Sequence, residues 1–225
     1  MESIVHLGDG EEALRGYRDL EFDVAIVDPP YGIGEDGSKA GGRVSNLRGG
    51  RYVRSYEGYV GGDVCGPAAW YYDELLRVSR DVIIWGGNHL CGEIGRGGSC
   101  WIVWDKRNGG GDFSDCELAW TNLGGGVRIF RYLWSGMLHE ENREHETRIH
   151  PTQKPVALYE WILRRWGILR GWGRMLDTHV GSGSSRIAAW RMGIDYVGWE
   201  LDGHYWGLQE GRFRKEAMDG QRYIY

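Results

Sequence analysis

The chain has 225 residues and a formal net charge of −5, so it can bury the core of one sizeable domain and is not uniformly basic like a nucleic-acid coat protein. Its four cysteines, at positions 65, 91, 100 and 116, form no C-x-x-C pair, which argues against a zinc site or a disulfide scaffold and predicts no bound metal. No apolar run has the length of a membrane span and the first residues lack a signal-peptide pattern, so we expect a soluble, cytoplasmic protein.

The periodicity of apolar residues predicts strands that alternate with helices. In chain order it predicts strand 3–7, helix 10–20, strand 22–27, helix 67–79, strands 81–85, 100–105, 116–121 and 127–134, helix 154–166, strand 174–178, helix 184–192, strand 195–200 and helix 202–218. This alternation is typical of a doubly wound α/β fold with a mostly parallel sheet.

The stretch 27-VDPPYGI-33 follows a predicted strand of small apolar residues. Two prolines restrict the backbone, so Asp28 and Tyr31 lie on a rigid segment at the carboxyl end of that strand. Ligands of open α/β sheets bind at this end. Asp28, Pro29, Pro30 and Tyr31 are therefore candidate functional residues, and a strand-end aspartate that caps a turn is the plainer alternative for Asp28.

A basic segment lies within the glycine-rich residues 32–66. Between positions 39 and 54 there are five basic residues and no acidic one, so this segment carries +5 and the remainder of the chain −10. A local phosphate contact and a solvated basic loop explain this pattern about equally well. The candidate phosphate-binding residues are Lys39, Arg43, Arg48, Arg51 and Arg54.

The C-terminal third contains a second candidate site, in which a strand ends at Asp177 and a G-S-G turn leads into a helix. Glu200 follows Gly181 by 19 residues, at the end of the next strand. Glycines allow close approach of a ligand, and an acid at this distance accepts hydrogen bonds from ribose hydroxyls. Arg186 stands where a third glycine would be, which favours an adenosyl ligand without phosphates over NAD. An ordinary βαβ unit is the alternative.

The hexapeptide 150-HPTQKP-155, together with these two motifs, makes the sequence similar to amino-group DNA methyltransferases that use S-adenosylmethionine. The D-P-P-Y segment precedes the cofactor turn, as in the β arrangement of that family. The resemblance extends from Gly8 to about Trp206 and implies a Rossmann-like, mostly parallel seven-stranded sheet. It also implies one methyltransferase domain over 1–225, with DNA-contacting insertions at 32–66 and 130–149.

The resemblance implies site-specific methylation of the exocyclic amine of an adenine flipped out of DNA. Asp28 and the backbone of Pro29 would accept the two N–H groups of that amine, and Tyr31 would stack on the base. For S-adenosylmethionine, the resemblance assigns ribose to Glu200, the adenine amine to Asp9, and the methionine end to Asp177, Gly181, Ser182 and Gly183. Beside the methionine carboxylate it places His150, Pro151, Thr152 and Lys154.

Several alternatives remain open at this stage. Asp9 could simply cap a helix, His150 could be a packed core residue, and Lys154 could cap its helix on the solvent side. His179 replaces an aromatic residue of the family pattern, which leaves cofactor affinity open. Methylation of cytosine, methylation of a protein glutamine, a non-catalytic DNA- or nucleotide-binding module and an NAD enzyme are the alternative functions. The absence of a large target-recognition domain implies short or relaxed specificity, or help from a dimer partner.

Overall fold

The computed structural model describes residues 1–34, 63–108, 114–135, 138–139, 146 and 148–218. The strands are β1 Ser3–Leu7, β2 Phe22–Val27, β3 Ser79–Trp85, β4 Trp101–Asp105, β5 Cys116–Thr121, β6 Arg128–Arg131, β7 Trp134–Ser135, β8 Leu138–His139, β9 Arg174–Asp177 and β10 Asp195–Glu200. The α-helices are α1 Gly10–Ala13, α2 Ala69–Val78, α3 Cys91–Ile94, α4 Val156–Ile162, α5 Ile168–Arg170, α6 Ser184–Arg191 and α7 Gly203–Phe213.

Eight of the described strands form one sheet, in the order β1-β10-β9-β2-β3-β5-β4-β6. Neighbours pair in parallel except at β3–β5 and β5–β4, so β5 runs against the other seven strands. This confirms the mostly parallel α/β sheet. The sheet has eight strands where the resemblance implied seven, because β6 pairs in parallel with β4 and adds a strand at the edge of the sheet.

The central strands are buried on both faces, which explains their nearly continuous apolar sequence. Along β3, Ile83 and Trp85 belong to one core cluster and Val82 and Ile84 to the other, because successive side chains point to opposite faces. Helices α4 and α6 contribute to the first cluster and helix α2 to the second. Helices therefore cover both faces of the sheet, as the alternating pattern predicts.

Two predicted elements are shorter than the sequence pattern suggested. Helix α1 ends at Ala13 and continues as a 3-10 turn over Leu14–Gly16, in place of a helix over 10–20. The Arg77 side chain donates to the carbonyl oxygens of Leu14 and Tyr17, which holds the chain in this turn. The predicted strand 127–134 is divided into β6 and the beginning of β7.

The parallel arrangement brings the carboxyl ends of four strands to one edge of the sheet. Val27 of β2 pairs with Ile84 of β3, and Asp177 of β9 pairs with Gly198 of β10, so these strands end close to one another. Asp28, Gly86, Asp177 and Glu200 consequently lie at the same edge.

Within the part of the chain that the structure describes, every helix is too short or too polar to span a membrane.

Candidate active site

Tyr31 and Asp28 form one hydrogen-bonded unit after β2. The Tyr31 hydroxyl donates to Asp28 Oδ1, and the Tyr31 ring stacks on His89 with centroids 5.5 Å apart. The ring passes directly over Gly86, where an added Cβ would lie 2.1 Å from a Tyr31 ring carbon. Gly86 also has a φ of +70°, so both its conformation and its missing side chain permit this arrangement. Sequence reasoning did not identify Gly86 as part of the site.

Asp63 holds the backbone that follows the two prolines. Its carboxylate accepts hydrogen bonds from the N–H groups of Tyr31 at 2.6 Å, Gly32 at 2.7 Å and Ile33 at 3.2 Å. The side chain is buried, with the residue 4% exposed. Asp63 thus fixes the direction of Tyr31 from a position 32 residues away in the chain. No sequence motif marks it.

Lys154 lies with Asp28 at the carboxyl end of β2. Its side chain is 3% exposed and its ammonium group donates to Asp28 Oδ2. The Lys154 Nζ atom also lies 3.2 Å from the Tyr31 hydroxyl and 3.1 Å from Glu117 Oε2 on β5. Lys106 pairs with the other oxygen of Glu117 at 2.5 Å. The described polar partners of Lys154 are therefore Asp28, Glu117 and the Tyr31 hydroxyl. The sequence pattern pointed to neither Glu117 nor Lys106.

The pKa values of these groups indicate how they are charged. Burial alone would lower the pKa of Lys154, but the charges of Asp28 and Glu117 outweigh it and raise that pKa. Burial opposes ionisation of Glu117, yet the two neighbouring ammonium groups lower its pKa to about 2. Burial and the Asp28 charge raise the pKa of Tyr31 well above its ordinary value. At neutral pH the lysine is a cation, the glutamate an anion and the tyrosine a neutral phenol.

The glycine turn follows β9 and is closed by Glu200. Gly181 and Gly183 have φ angles of +53° and +74°, which favour glycine. Glu200 accepts from the N–H of Gly181 at 2.7 Å through one carboxylate oxygen and from the N–H of Asp202 at 2.9 Å through the other. Burial raises the pKa of Glu200. A buried carboxylate with further lone pairs therefore lies directly beside a glycine turn whose first residue, Gly181, is partly exposed.

Asp177 and Asp9 make contacts within the chain itself. Asp177 accepts from Ser185 at 2.6 Å, from the Tyr196 hydroxyl at 3.2 Å and from the His179 N–H at 3.0 Å. Burial raises its pKa. Asp9 accepts from the N–H groups of residues 11 and 12 at 2.9 and 3.2 Å and so caps helix α1. Both carboxylates hold the edge of the candidate cofactor site in shape.

The segment 150–155 connects the two halves of the site. His150 packs on the glycine turn, with its ring 3.8 Å from the point where a Gly181 Cβ would lie, while Lys154 of the same segment contacts Asp28. The His150 Nδ1 atom lies 3.1 Å from Thr152 Oγ1. Burial, and then the nearby charges of Lys154 and Arg148, lower the pKa of His150 to about 3, so the ring is neutral. Pro151 accepts a hydrogen bond from Arg148 through its carbonyl oxygen.

Arg212 of helix α7 also holds the backbone of the glycine turn. This buried guanidinium donates to the Ser182 carbonyl oxygen and to Ser184 Oγ, both at 2.9 Å. It pairs with Glu146 at 2.5 Å, and Glu146 in turn accepts from the N–H of Val156 at 3.2 Å, where helix α4 begins. Arg212 thus ties the turn to the segment that carries His150 and Lys154.

The predicted DNA-binding residues Lys39, Arg43, Arg48, Arg51 and Arg54 lie outside the described residues. The same holds for most of the insertion 32–66 and for part of 130–149. Their assignment remains a prediction from the sequence.

Comparison with known proteins gives one family match and several structures of the same fold. Residues 125–209 match the N6/N4 methyltransferase family, which is described as DNA methylase. The matched segment is less than half of the chain, so the match shows that this part of the chain is similar to that family. The matched residues include the glycine turn, Glu200 and the segment 150–155. No curated protein matches the chain.

Solved structures with this fold include three whose sequences are distant from this chain. The M1.HpyAVI complex with S-adenosylmethionine is 16% identical, with a TM-score of 0.56, and the match covers 95% of this chain and 99% of that one. The TTHA0409 complex with S-adenosylmethionine, from Thermus thermophilus, is 19% identical with a TM-score of 0.53, covering 95% of each chain. The cytosine-N4-specific PvuII DNA methyltransferase is 11% identical, with a TM-score of 0.52 and coverage of 95% and 86%. At these identities the likeness establishes the fold.

Proposed function

We propose that this protein is a DNA methylase that transfers a methyl group from S-adenosylmethionine to the exocyclic amine of adenine in DNA. The observation that carries the proposal is the position of the segment 150–155. His150 contacts the glycine turn and Lys154 contacts Asp28, so one short segment joins the turn to the D-P-P-Y carboxylate at the same edge of the sheet. Methyl transfer requires this proximity, because the nucleophile and the methyl carbon must meet in line.

The residues around the glycine turn suit S-adenosylmethionine. Gly181 is partly exposed, so a ligand can approach its backbone, whereas Gly183 packs against Gln209. Glu200 is a buried acceptor suited to ribose hydroxyls. The remaining parts of S-adenosylmethionine are proposed to bind at the same edge, to Asp9, His150, Pro151, Thr152, Asp177 and Ser182. When bound, the cofactor supplies a methyl group on a positively charged sulfur, which requires no metal ion.

The D-P-P-Y residues are proposed to prepare the amine. The lone pair of an exocyclic amine is delocalised into the ring, so two acceptors on its N–H groups are needed to make it nucleophilic. Asp28 and the carbonyl oxygen of Pro29 are the proposed acceptors, while Pro30 keeps the backbone rigid and Tyr31 stacks on the base. The amine nitrogen would gain the methyl group as the sulfur–methyl bond breaks and leaves a neutral thioether. The amine proton hydrogen-bonded to Asp28 would then pass to solvent.

Access to this amine requires that the base leave the duplex. We propose that the insertions 32–66 and 130–149 contact the DNA around the flipped base, with the basic residues of 39–54 on phosphates. In this proposal residues 1–225 act as one methyltransferase domain, alone or as a homodimer. Restriction-modification is the context in which we place the activity.

The choice of adenine rests on the aspartate at position 28, since cytosine-amino enzymes more often carry serine there. Methylation of the cytosine amine is the second candidate, because a cytosine-N4-specific methyltransferase shares the fold. Both bases present an exocyclic amine, so the same pair of acceptors serves either reaction.

The test is mass spectrometry of nucleosides from unmethylated genomic DNA after incubation with the purified chain and S-adenosylmethionine. We expect N6-methyladenine from the wild type and at least about 10²-fold less product from Asp28→Ala, since the variant lacks the principal acceptor for the amine. Asp19→Ala is the matched control, because Asp19 is an exposed aspartate that pairs with Arg77 away from the site.

Each other outcome has a definite meaning. A methyl group on cytosine would select the second candidate. Wild-type product from Asp28→Ala would remove the proposed catalytic residue, and no product on any DNA would contradict the proposed activity.

A further inference from the structure

We propose that Glu117 is a positioning residue of this active site, which retains the Lys154 ammonium and cancels its charge while Asp28 binds the substrate amine. This inference rests on the proposed methyl transfer. Glu117 lies on β5, the one strand that runs against the others, and belongs to none of the three motifs.

The hydrogen bonds of Lys154 show why a second carboxylate is needed. An ammonium group has three N–H donors. Among the described residues, three acceptors surround Lys154: Asp28 Oδ2, the Tyr31 hydroxyl and Glu117 Oε2. Because the Lys154 side chain is 3% exposed, water has little access to replace an acceptor that is lost. Glu117 remains as an anionic partner when Asp28 turns its charge toward another donor.

The substrate amine competes with Lys154 for Asp28. Asp28 already accepts from Lys154 through Oδ2 and from Tyr31 through Oδ1. An amine that donates to the same carboxylate weakens the Lys154 contact. Without a second anion, the ammonium would either stay on Asp28 and compete with the amine or lie unpaired in a buried position.

The charges in this cluster are balanced. Two cations and two anions alternate along it: Lys106 lies 2.5 Å from Glu117, Glu117 lies 3.1 Å from Lys154, and Lys154 contacts Asp28. Methyl transfer moves positive charge from the sulfur to the amine nitrogen. Loss of the Glu117 charge would leave an additional positive charge beside that nitrogen and oppose the transfer.

The experiment compares wild type, Glu117→Gln, Lys154→Met and the double variant in single-turnover methyl transfer on the same DNA. Dissociation constants for S-adenosylmethionine and for DNA are measured in parallel. We expect Glu117→Gln to lower the transfer rate about 10- to 100-fold, as expected for a displaced active-site group, with both dissociation constants within about twofold of wild type. The double variant should be no slower than Lys154→Met, because Glu117 acts through the lysine.

Two further variants keep the test decisive. Glu117→Asp retains the charge and should recover part of the rate, which separates a charge effect from a folding defect. Glu74→Gln is the matched control, since Glu74 has the same 24% side-chain exposure as Glu117 and pairs with Arg77 at 2.6 Å outside this cluster. Its transfer rate should equal that of the wild type.

Three results would overturn the inference. The first is a wild-type transfer rate in Glu117→Gln, and the second is a loss of DNA or cofactor affinity in that variant as large as its loss of rate. The third is an effect of Glu117→Gln on the rate that is undiminished in the Lys154→Met background. Absence of methyl transfer by the wild type would instead contradict the proposed function, so the two failures are distinguishable.

Discussion

Asp63 shows how a single buried carboxylate organises the D-P-P-Y segment. The two prolines limit the backbone up to position 30, but the direction of the chain beyond them depends on where the next N–H groups find acceptors. Asp63 provides these for Tyr31, Gly32 and Ile33. The Tyr31 ring thereby lies over Gly86, with its hydroxyl on Asp28.

Replacement of Asp63 by alanine should lower both stability and activity. Three backbone N–H groups lose their acceptor. Gly32 and Ile33 are exposed, so water can replace the acceptor there, and the principal cost of about 1–3 kcal/mol falls on the half-buried Tyr31 N–H. Urea unfolding and the methyl-transfer rate measure the two effects. Asp63→Asn is the matched control, because its remaining side-chain oxygen can still accept the bonds from Tyr31 and Gly32, which both go to Oδ1. An alanine variant with wild-type stability and rate would show that Asp63 does not hold this segment.

At the scale of elements, helix α7 supports the glycine turn that approaches it from another strand. Arg212 has a side chain only 2% exposed and reaches the turn between β9 and α6 through Ser182 and Ser184. It also pairs with Glu146 and Glu216. The conformation of the turn therefore depends on the docking of α7 as well as on its own glycines.

The variant Arg212→Met should be destabilised by about 3–5 kcal/mol, because it leaves the partly buried Glu146 without its cation. It should also bind S-adenosylmethionine more weakly, since the turn loses two anchoring hydrogen bonds. Urea unfolding and calorimetric titration with S-adenosylmethionine measure the two effects. Arg191→Met is a suitable control: Arg191 is 40% exposed and its partner Glu160 keeps a second arginine, Arg164. Equal losses in the two variants would argue against a specific role of Arg212 at the turn.

At the scale of the whole molecule, charge is distributed unevenly. The segment 39–54 carries +5 in a chain whose total is −5. Binding to DNA releases counterions in proportion to the phosphates that a protein contacts, so the number of contacts is measurable from the salt dependence of affinity.

Simultaneous replacement of Arg48, Arg51 and Arg54 by alanine should weaken DNA binding and reduce the slope of log K against log salt by up to about 2.7. Fluorescence anisotropy with duplex DNA over a range of salt concentrations measures this slope. The control variant replaces Arg18, Arg214 and Lys215, three exposed basic residues outside the segment 39–54. An unchanged slope in the first variant would exclude the segment from the DNA interface.

The fold could be predicted largely from local pattern. Each of the eight strand candidates contributes a strand to the large sheet, although the last residue of candidate 127–134 belongs to β7 of the separate β7–β8 pair. The errors concern lengths that depend on distant contacts. Helix α1 ends early where Arg77, from helix α2, binds the carbonyl groups that follow it, and nothing within residues 10–20 encodes that contact.

The sequence by itself determined the motifs, their order and the α/β architecture, since proline, glycine and strand periodicity act over a few residues. Contacts across about 30 to 130 residues were decided by tertiary structure. Asp63 lies 32 residues from Tyr31, and Lys154 lies 126 residues from Asp28. Glu117 joins them only because β5 pairs with β3, which places its carboxylate beside the lysine. Side chains of this kind follow no local period, so only the assembled sheet reveals that they share a site.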